Sequence, residues 1–180
     1  MKRERGFTLI ELIFTVALIS IMIGIAVPSF RTFISNYRAT SATNDLLQGI
    51  TLTRAEALKR GRKVTLSPIG GDWANGWTIF IDTGVATPPV WASPEELIFT
   101  HSLLPTTVSV TGPNGTGTPF GGNYVAFDGT GYPRSTVGGI LSGGVQIKDS
   151  MTTPNNIRTV CLSLLGRPRV ITGAADCSSG

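Results

Sequence analysis

Residues 7–27, FTLIELIFTVALISIMIGIAV, decide the architecture. These 21 consecutive residues carry one charge, Glu11. As a helix they span roughly 30 Å, the thickness of a bilayer core. Lys2, Arg3 and Arg5 precede them, and such basic flanks stay cytoplasmic, so the rest of the chain is expected on the far side. A cleaved secretory signal has the same order of charge and apolar run. Two features argue against one here: the run exceeds the apolar core of a signal peptide, and the helical pattern continues past it without a small-x-small processing site. Glu11 is the discriminating residue. A carboxylate in a membrane helix costs a few kcal/mol and normally has a partner. No partner is expected inside the segment, so one is expected on another chain, which implies lateral assembly of such helices.

The pattern does not stop at Pro28, which should kink or loosen the helix rather than end it. Phe30, Phe33, Ile34 and Tyr37 follow at helical spacing, then Leu46, Leu47, Ile50 and Leu58 with the small residues Ala55 and Ala57. Glu56 and Arg60 stand four apart in the favourable order. Lys59 and Arg60 suit the dipole of a last turn, and Gly61 suits a C-cap. A membrane-spanning half over residues 7–28 and an amphipathic half over 29–60, packing an apolar stripe on a head, are therefore expected.

Past Gly61 the period shifts towards two. Segments 63–66, 77–81, 96–99, 108–110, 124–127, 145–147 and 159–163 read as strands, separated by turns such as Gly70-Gly71-Asp72 and Asp128-Gly129-Thr130-Gly131. Residues 112–123, rich in Gly, Thr and Pro, read as a mobile loop, and Thr87-Pro88-Pro89-Val90 as another. The predicted fold class is α+β: one long helix against a β-rich antiparallel head over residues 61–180, built as a sandwich or two small sheets.

The chain has 180 residues and a net charge of +4. Beyond Pro28 it holds 12 basic and 9 acidic residues, a balance that permits a nucleic-acid partner only if the charges cluster. Its two cysteines, Cys161 and Cys177, follow an export-type N-terminus and are expected to form a disulfide worth roughly 3 kcal/mol in the chain-entropy model.

Gly6-Phe7-Thr8-Leu9-Ile10-Glu11 behind a short charged leader resembles the class III leader of type IV pilins and pseudopilins. The resemblance implies that residues 1–6 are a leader, and that a prepilin peptidase cuts between Gly6 and Phe7 and methylates the new N-terminus. It also implies that Glu11 pairs with the terminal amine of a neighbouring pilin subunit. Two charges that are each costly in lipid would then neutralise one another. Arg54-Ala55-Glu56-Ala57, Lys59-Arg60-Gly61-Arg62, Gly76-Trp77, Phe127-Asp128 with Gly131 and Pro133-Arg134, and the terminal cysteine pair narrow the resemblance to the GspH/FimT branch.

Sequence motifs for catalysis are missing. His101 is the only histidine, no nucleophile elbow, P-loop or zinc motif occurs, and Asp128 reads as a turn former. The chain is read as a non-enzyme without metal or cofactor.

Between the cysteines lies Gly166-Arg167-Pro168-Arg169. Pro168 cannot donate within a central ladder, which makes this an edge or a loop. If extended, Arg167 and Arg169 point to one side, roughly 6.6 Å apart. Held by the disulfide, two parallel guanidinium groups suit phosphate oxygens. The motif resembles the DNA-binding motif of FimT minor pilins. That resemblance implies non-specific binding of the DNA backbone during uptake in natural transformation, by a protein held in the inner membrane with a periplasmic head and later carried in a pilus. Lys148, Arg158 and Arg134 are candidates to extend the patch. Arg54, Lys59, Arg60, Arg62 and Lys63 form a second basic cluster expected to serve the helix dipole or the membrane-proximal surface. A structural minor pilin that primes pilus assembly, and a minor pseudopilin of type II secretion, remain alternatives.

Overall fold

The structure, a computed structural model, describes residues 7–84, 86–112, 118–136, 138–150, 157–173 and 177. Residues 1–6, expected to form a leader that ends at Gly6, and Gly115-Thr116-Gly117 lie outside the described residues. The chain divides into two compact units, Met1–Ile34 and Ser35–Gly180, and the helix α1, Leu9–Arg60, contributes to both.

In the first unit, α1 starts with a capping box. Thr8 accepts from the Glu11 backbone N–H through its hydroxyl at 3.3 Å, and its own N–H and hydroxyl donate to Glu11 Oε2, each at 3.0 Å. The expectation that Glu11 has no partner inside its segment is therefore corrected: a threonine three residues back fits the geometry of a helix start. Pro28 lies inside the helix. The large apolar residues from Phe7 to Val27 are exposed, and the helix is long and apolar enough to cross a membrane.

Among the described residues of the second unit, eight strands form two antiparallel sheets. They are β1 (Val64–Pro68), β2 (Trp77–Ile81), β3 (Leu97–His101), β4 (Val108–Thr111), β5 (Val125–Phe127), β6 (Gly143–Asp149), β7 (Arg158–Leu162) and β8 (Pro168–Thr172). One sheet has the order β3-β2-β1-β5 and the other β4-β6-β7-β8. Seven strands were expected. The eighth, β8, carries Pro168 as its first residue and lies at a sheet edge, where proline's missing N–H leaves no ladder bond unmade. The expected 112–123 loop also contains a core anchor: Phe120 is fully buried and meets Trp73 edge-on, 5.8 Å between ring centroids.

The helix stripe that faces the core contains Leu46, Ile50 and Ala57 as expected, and differs from the expected one elsewhere. Ser35, Ala39, Ala42, Thr43, Leu46, Gly49, Ile50, Thr53 and Ala57 are buried, at helical spacing. Tyr37, Ala55 and Leu58 are exposed, as are Phe30 and Phe33 in the first unit. Small residues win because the helix and the sheets approach closely. A Cβ on Gly49 would stand 2.9 Å from Trp77 Nε1 and 3.0 Å from Leu66 Cδ1. The buried threonines satisfy their hydroxyls within the helix: Thr43 donates to Ala39 O at 2.6 Å and Thr53 to Gly49 O at 2.7 Å. Each thus offers its methyl to the core at little polar cost.

Candidate functional site

The Gly-Arg-Pro-Arg motif sits where β7 turns into β8. Gly166 N–H donates to Ser163 O at 2.9 Å, and Ser163 N–H donates to Arg167 O at 3.1 Å. Gly166 adopts φ +73°, the left-handed conformation that closes a hairpin of this length and that glycine adopts without strain. Register then sets the arginines. Cys161 faces Arg169 and Leu162 faces Pro168, and the Ser163–Arg167 bond continues the ladder one step. Residues two apart share a face, so Arg167 and Arg169 lie on the face of Cys161. Arg167 is exposed and Arg169 half-buried.

The same geometry sorts the other candidates. Lys148, exposed on β6, shares the face of Gly144, the residue opposite Cys161. Its four-residue offset places it about 13 Å along the strand direction from the Arg169 row. Arg158 shares the face of Val160 and Leu162, which belong to the core, so it lies on the opposite face from Arg169. Arg134 is held by Asp128, 2.8 Å away. Only Arg167 and Arg169 are brought together.

Arg54 is the residue that sequence reasoning misplaced. It was grouped with a basic cluster at the helix end. In the fold it reaches away from that cluster: Nε donates to Gly131 O at 3.0 Å and Nη1 to Gly166 O at 3.2 Å. One guanidinium thus staples the helix, the Asp128–Pro133 turn and the arginine hairpin, three elements distant in sequence. Its other cluster members also have local tasks. Lys59 and Arg60 pair with Glu56 at 3.3 and 2.6 Å, Arg60 also with Glu96 at 2.6 Å, and Lys63 with Asp82 at 2.7 Å. Hydrogen bonds from Arg60, then Lys59, hold the Glu56 carboxyl below its ordinary range. Among the described residues, Arg62 and Arg54 are the members of this cluster without an ion pair, and Arg54 bonds carbonyls instead.

The Asp128 turn is equally fixed. Asp128 Oδ1 accepts from Thr130 N–H at 2.9 Å, Thr130 hydroxyl at 2.5 Å and Tyr132 N–H at 3.1 Å. Burial opposes its charge, but the Thr130 hydroxyl, Arg134 and the two backbone donors outweigh it and hold its carboxyl at about 2. This turn packs on the hairpin. A Cβ on Gly166 would stand 2.8 Å from Phe127 Cε1 and 3.2 Å from both Gly131 O and Pro133 Cδ. On the other side of β7, Cys161 bonds Cys177, with Cα atoms 5.5 Å apart. Gly144 leaves the room that the Cys177 sulfur occupies.

His101 has a structural setting. It stacks on Trp77 at 4.1 Å, its Nδ1–H donates to Ser102 O at 2.7 Å, and Nε2 lies 3.7 Å from Asp45. Among the described residues, no group of three or more His, Cys, Asp or Glu is placed to hold a metal ion.

Comparison with known proteins agrees with this architecture. A family described as Type II transport protein GspH matches residues 42–166, and the prokaryotic N-terminal methylation motif matches residues 1–27. The type IV major alpha-pilin of Moraxella bovis is 39% identical over 67 residues, 37% of this chain and 42% of that protein. Fimbrial protein Q of the same organism is 36% identical over 72 residues, 40% of this chain and 45% of that protein. A fimbrial protein of Pseudomonas aeruginosa is 31% identical over 67 residues, 37% of this chain and 43% of that protein. The chain thus spans less than half the length of the curated relatives it matches. Among solved structures, the type IV minor pilin FimU of Pseudomonas aeruginosa matches with a TM-score of 0.56 and 17% identity, over 81% of this chain and 98% of that one. A second crystal form of FimU gives a TM-score of 0.52 at 17% identity, over 77% of this chain and 98% of that one. At this identity FimU shares the fold, a long helix on two antiparallel sheets. With its head matched over residues 42–166 and a methylation motif at its start, the chain belongs to the GspH family of pilin-like proteins.

Proposed function

We propose that this chain is a minor pilin that binds DNA through Arg167 and Arg169. In this reading a prepilin peptidase cuts between Gly6 and Phe7 and methylates Phe7. Residues 7–28 hold the chain in the inner membrane, with the head in the periplasm, until assembly. Glu11 then trades its capping contacts with Thr8 for the terminal amine of a neighbouring subunit. In the pilus, the Gly166 hairpin meets DNA during uptake. The observation that carries the reading is the hairpin register, which sets two arginines on one face of a turn whose backbone is fixed by Arg54, Gly166 and the Cys161–Cys177 bond. A preorganised pair loses little freedom on binding phosphate. Contacts confined to phosphate carry no sequence information, so binding is non-specific and salt-sensitive. Few contacts make each copy weak, and several copies in one filament compensate.

The test uses the full chain in detergent micelles and a gel shift on duplex DNA at low salt. Arg167→Gln/Arg169→Gln should lose the retardation, and each lost phosphate contact should lower the slope of log K against log salt by about one. Equal retardation by the wild type and the double variant sinks the proposal. The family description also supports a second reading, a minor pseudopilin of type II secretion. A deletion strain that transforms normally but fails to export proteins would favour it.

A further inference from the structure

Among the described residues, β3 ends its sheet and pairs with β2 alone. Its register sets the faces. Phe99 stands opposite Ile79 and His101 opposite Trp77, and both partners belong to the core that α1 joins. Phe99 and His101 therefore face the helix side, and Thr100 faces away. Between them and α1 lies a hollow of about 340 Å³, lined by Asp45, Gln48, Gly49, Leu52, Phe99 and His101. A second hollow of about 250 Å³, with Tyr37 and Leu103 on its wall, shares the Asp45–His101 pair.

This pair is two acceptors. His101 Nδ1–H donates to Ser102 O at 2.7 Å, so the neutral ring has its lone pair at Nε2. Nε2 lies 3.7 Å from Asp45 Oδ2, beyond hydrogen-bond distance. Stacking on Trp77 at 4.1 Å holds the ring in place. Both side chains reach solvent, His101 being 23% and Asp45 36% exposed. Arg38, the cation that lines the second hollow, donates to Thr107 at 3.3 Å. A group that bonds Nε2 and the carboxylate together must bring its own hydrogens and a positive charge. One ammonium nitrogen does both, because it can lie about 2.9 Å from each atom and direct a hydrogen at each. A planar guanidinium instead matches the two oxygens of one carboxylate.

The surroundings select the rest of the ligand. Phe99 is exposed and Leu52 half-buried, and they form an apolar wall that suits the methylene stem of a lysine. An edge strand has backbone groups to pair with an added strand, and Phe99-Thr100-His101 carries none of the lysine, proline or carboxylate that blunts such edges. Alternate side chains of an added strand would face the helix side, as Phe99 and His101 do. We infer that the groove between α1 and β3 docks an extended segment of a partner protein, which adds to β3 and sets a lysine ammonium between His101 Nε2 and Asp45. This site is independent of the DNA reading, whose arginines lie on the other sheet.

His101 is the only histidine, so its ring gives a single set of signals in nitrogen NMR spectra of the full chain in uncharged detergent micelles. The pH is set at about 8, where an ordinary imidazole is neutral. The probes are a short capped peptide of valine and threonine with a central lysine, the same peptide with norleucine for lysine, and n-butylammonium. The lysine peptide should shift the Nε2 signal saturably and slow amide exchange within residues 99–101. The norleucine peptide should bind about 10- to 100-fold more weakly, the range for charge-assisted hydrogen bonds. Asp45→Asn should weaken the lysine peptide by a similar factor and leave the norleucine peptide within about twofold, with an unchanged tryptophan melt as the check on folding. Equal binding of the two peptides by the wild type overturns the ammonium site, and that comparison needs no variant. Binding of n-butylammonium as tight as that of the lysine peptide, without slowed exchange in β3, overturns strand addition. A His101 ring that carries both protons before any peptide is added makes the pair a closed ion contact and overturns the inference, as does a lysine peptide that fails to bind at millimolar concentration.

Discussion

Gly166→Ala separates a structural role for the motif's glycine from a role in ligand contact. At φ +73° a Cβ costs about 1–2 kcal/mol in backbone strain. That Cβ would stand 2.8 Å from Phe127 Cε1 and 3.2 Å from Gly131 O and Pro133 Cδ. Phe127 is fully buried and cannot swing aside, so overpacking adds about 1–3 kcal/mol. Alanine stabilises by about 0.4–1 kcal/mol through a less flexible unfolded chain. The net loss is about 1–5 kcal/mol, centred near 3, which for a chain of this size lowers the melting temperature by roughly 6–12 °C at the centre of that range. Trp73 and Trp77 are buried in the core of the second unit, so their fluorescence follows its unfolding in detergent. Gly61→Ala is the matched comparison: φ is +60° but nothing lies within 4 Å of the added Cβ. That variant therefore reports strain alone, about 1 kcal/mol. A Gly166→Ala protein that melts no lower than Gly61→Ala would refute the claim that the glycine is required by the contact between the two turns.

Four further outcomes follow from the same structure. Arg54→Leu strands the Gly131 and Gly166 carbonyls, and should cost about 2 kcal/mol in thermal unfolding while also weakening DNA binding, although Arg54 is not placed to touch the ligand. Asp128 is held at about 2, below its ordinary 3.8, so its contribution is fully present above pH 3.8 and is lost as pH falls towards 2. The loss should be about 1 kcal/mol once solvent screening around the partly exposed Arg134 is counted, and Asp128→Asn should flatten that part of the melting-temperature profile. Reduction of Cys161–Cys177, 16 residues apart, should remove about 3 kcal/mol and be visible as an earlier melt in the presence of a reductant. Glu11→Ala should leave prepilin cleavage intact, as read by the mass of the mature chain, and impair filament incorporation; normal incorporation contradicts the subunit-pairing role.

How much of the site could be read in advance depended on the range of the interaction. The arginine spacing, the proline at a sheet edge and the cysteine pair are local or nearly so, and each was legible. Arg54 was not, because its acceptors are two carbonyls 77 and 112 residues away, and backbone carbonyls leave no mark in a sequence. Leu46, Ile50 and Ala57 were read correctly as core, but the rest of the helix face was misread for a related reason. Large apolar side chains at helical spacing ordinarily mark a core, but here Tyr37 and Leu58 point outward while alanine, glycine, serine and threonine take the close contact with the sheets.

By itself, the sequence determined the long N-terminal helix, the leader motif, the β character of the head and the identity of the disulfide partners. Hydropathy, helix capping, turn glycines and a single pair of cysteines are properties of short segments or of composition. Only the tertiary structure decided that the strands divide into two sheets of four, that Pro168 opens β8, and that Arg158 faces away from Arg169. It also decided that Gly166 packs against Gly131 and Pro133, across two turns stapled by Arg54. Those facts depend on strand register and on which surfaces come within van der Waals reach, and both are set when the whole chain packs.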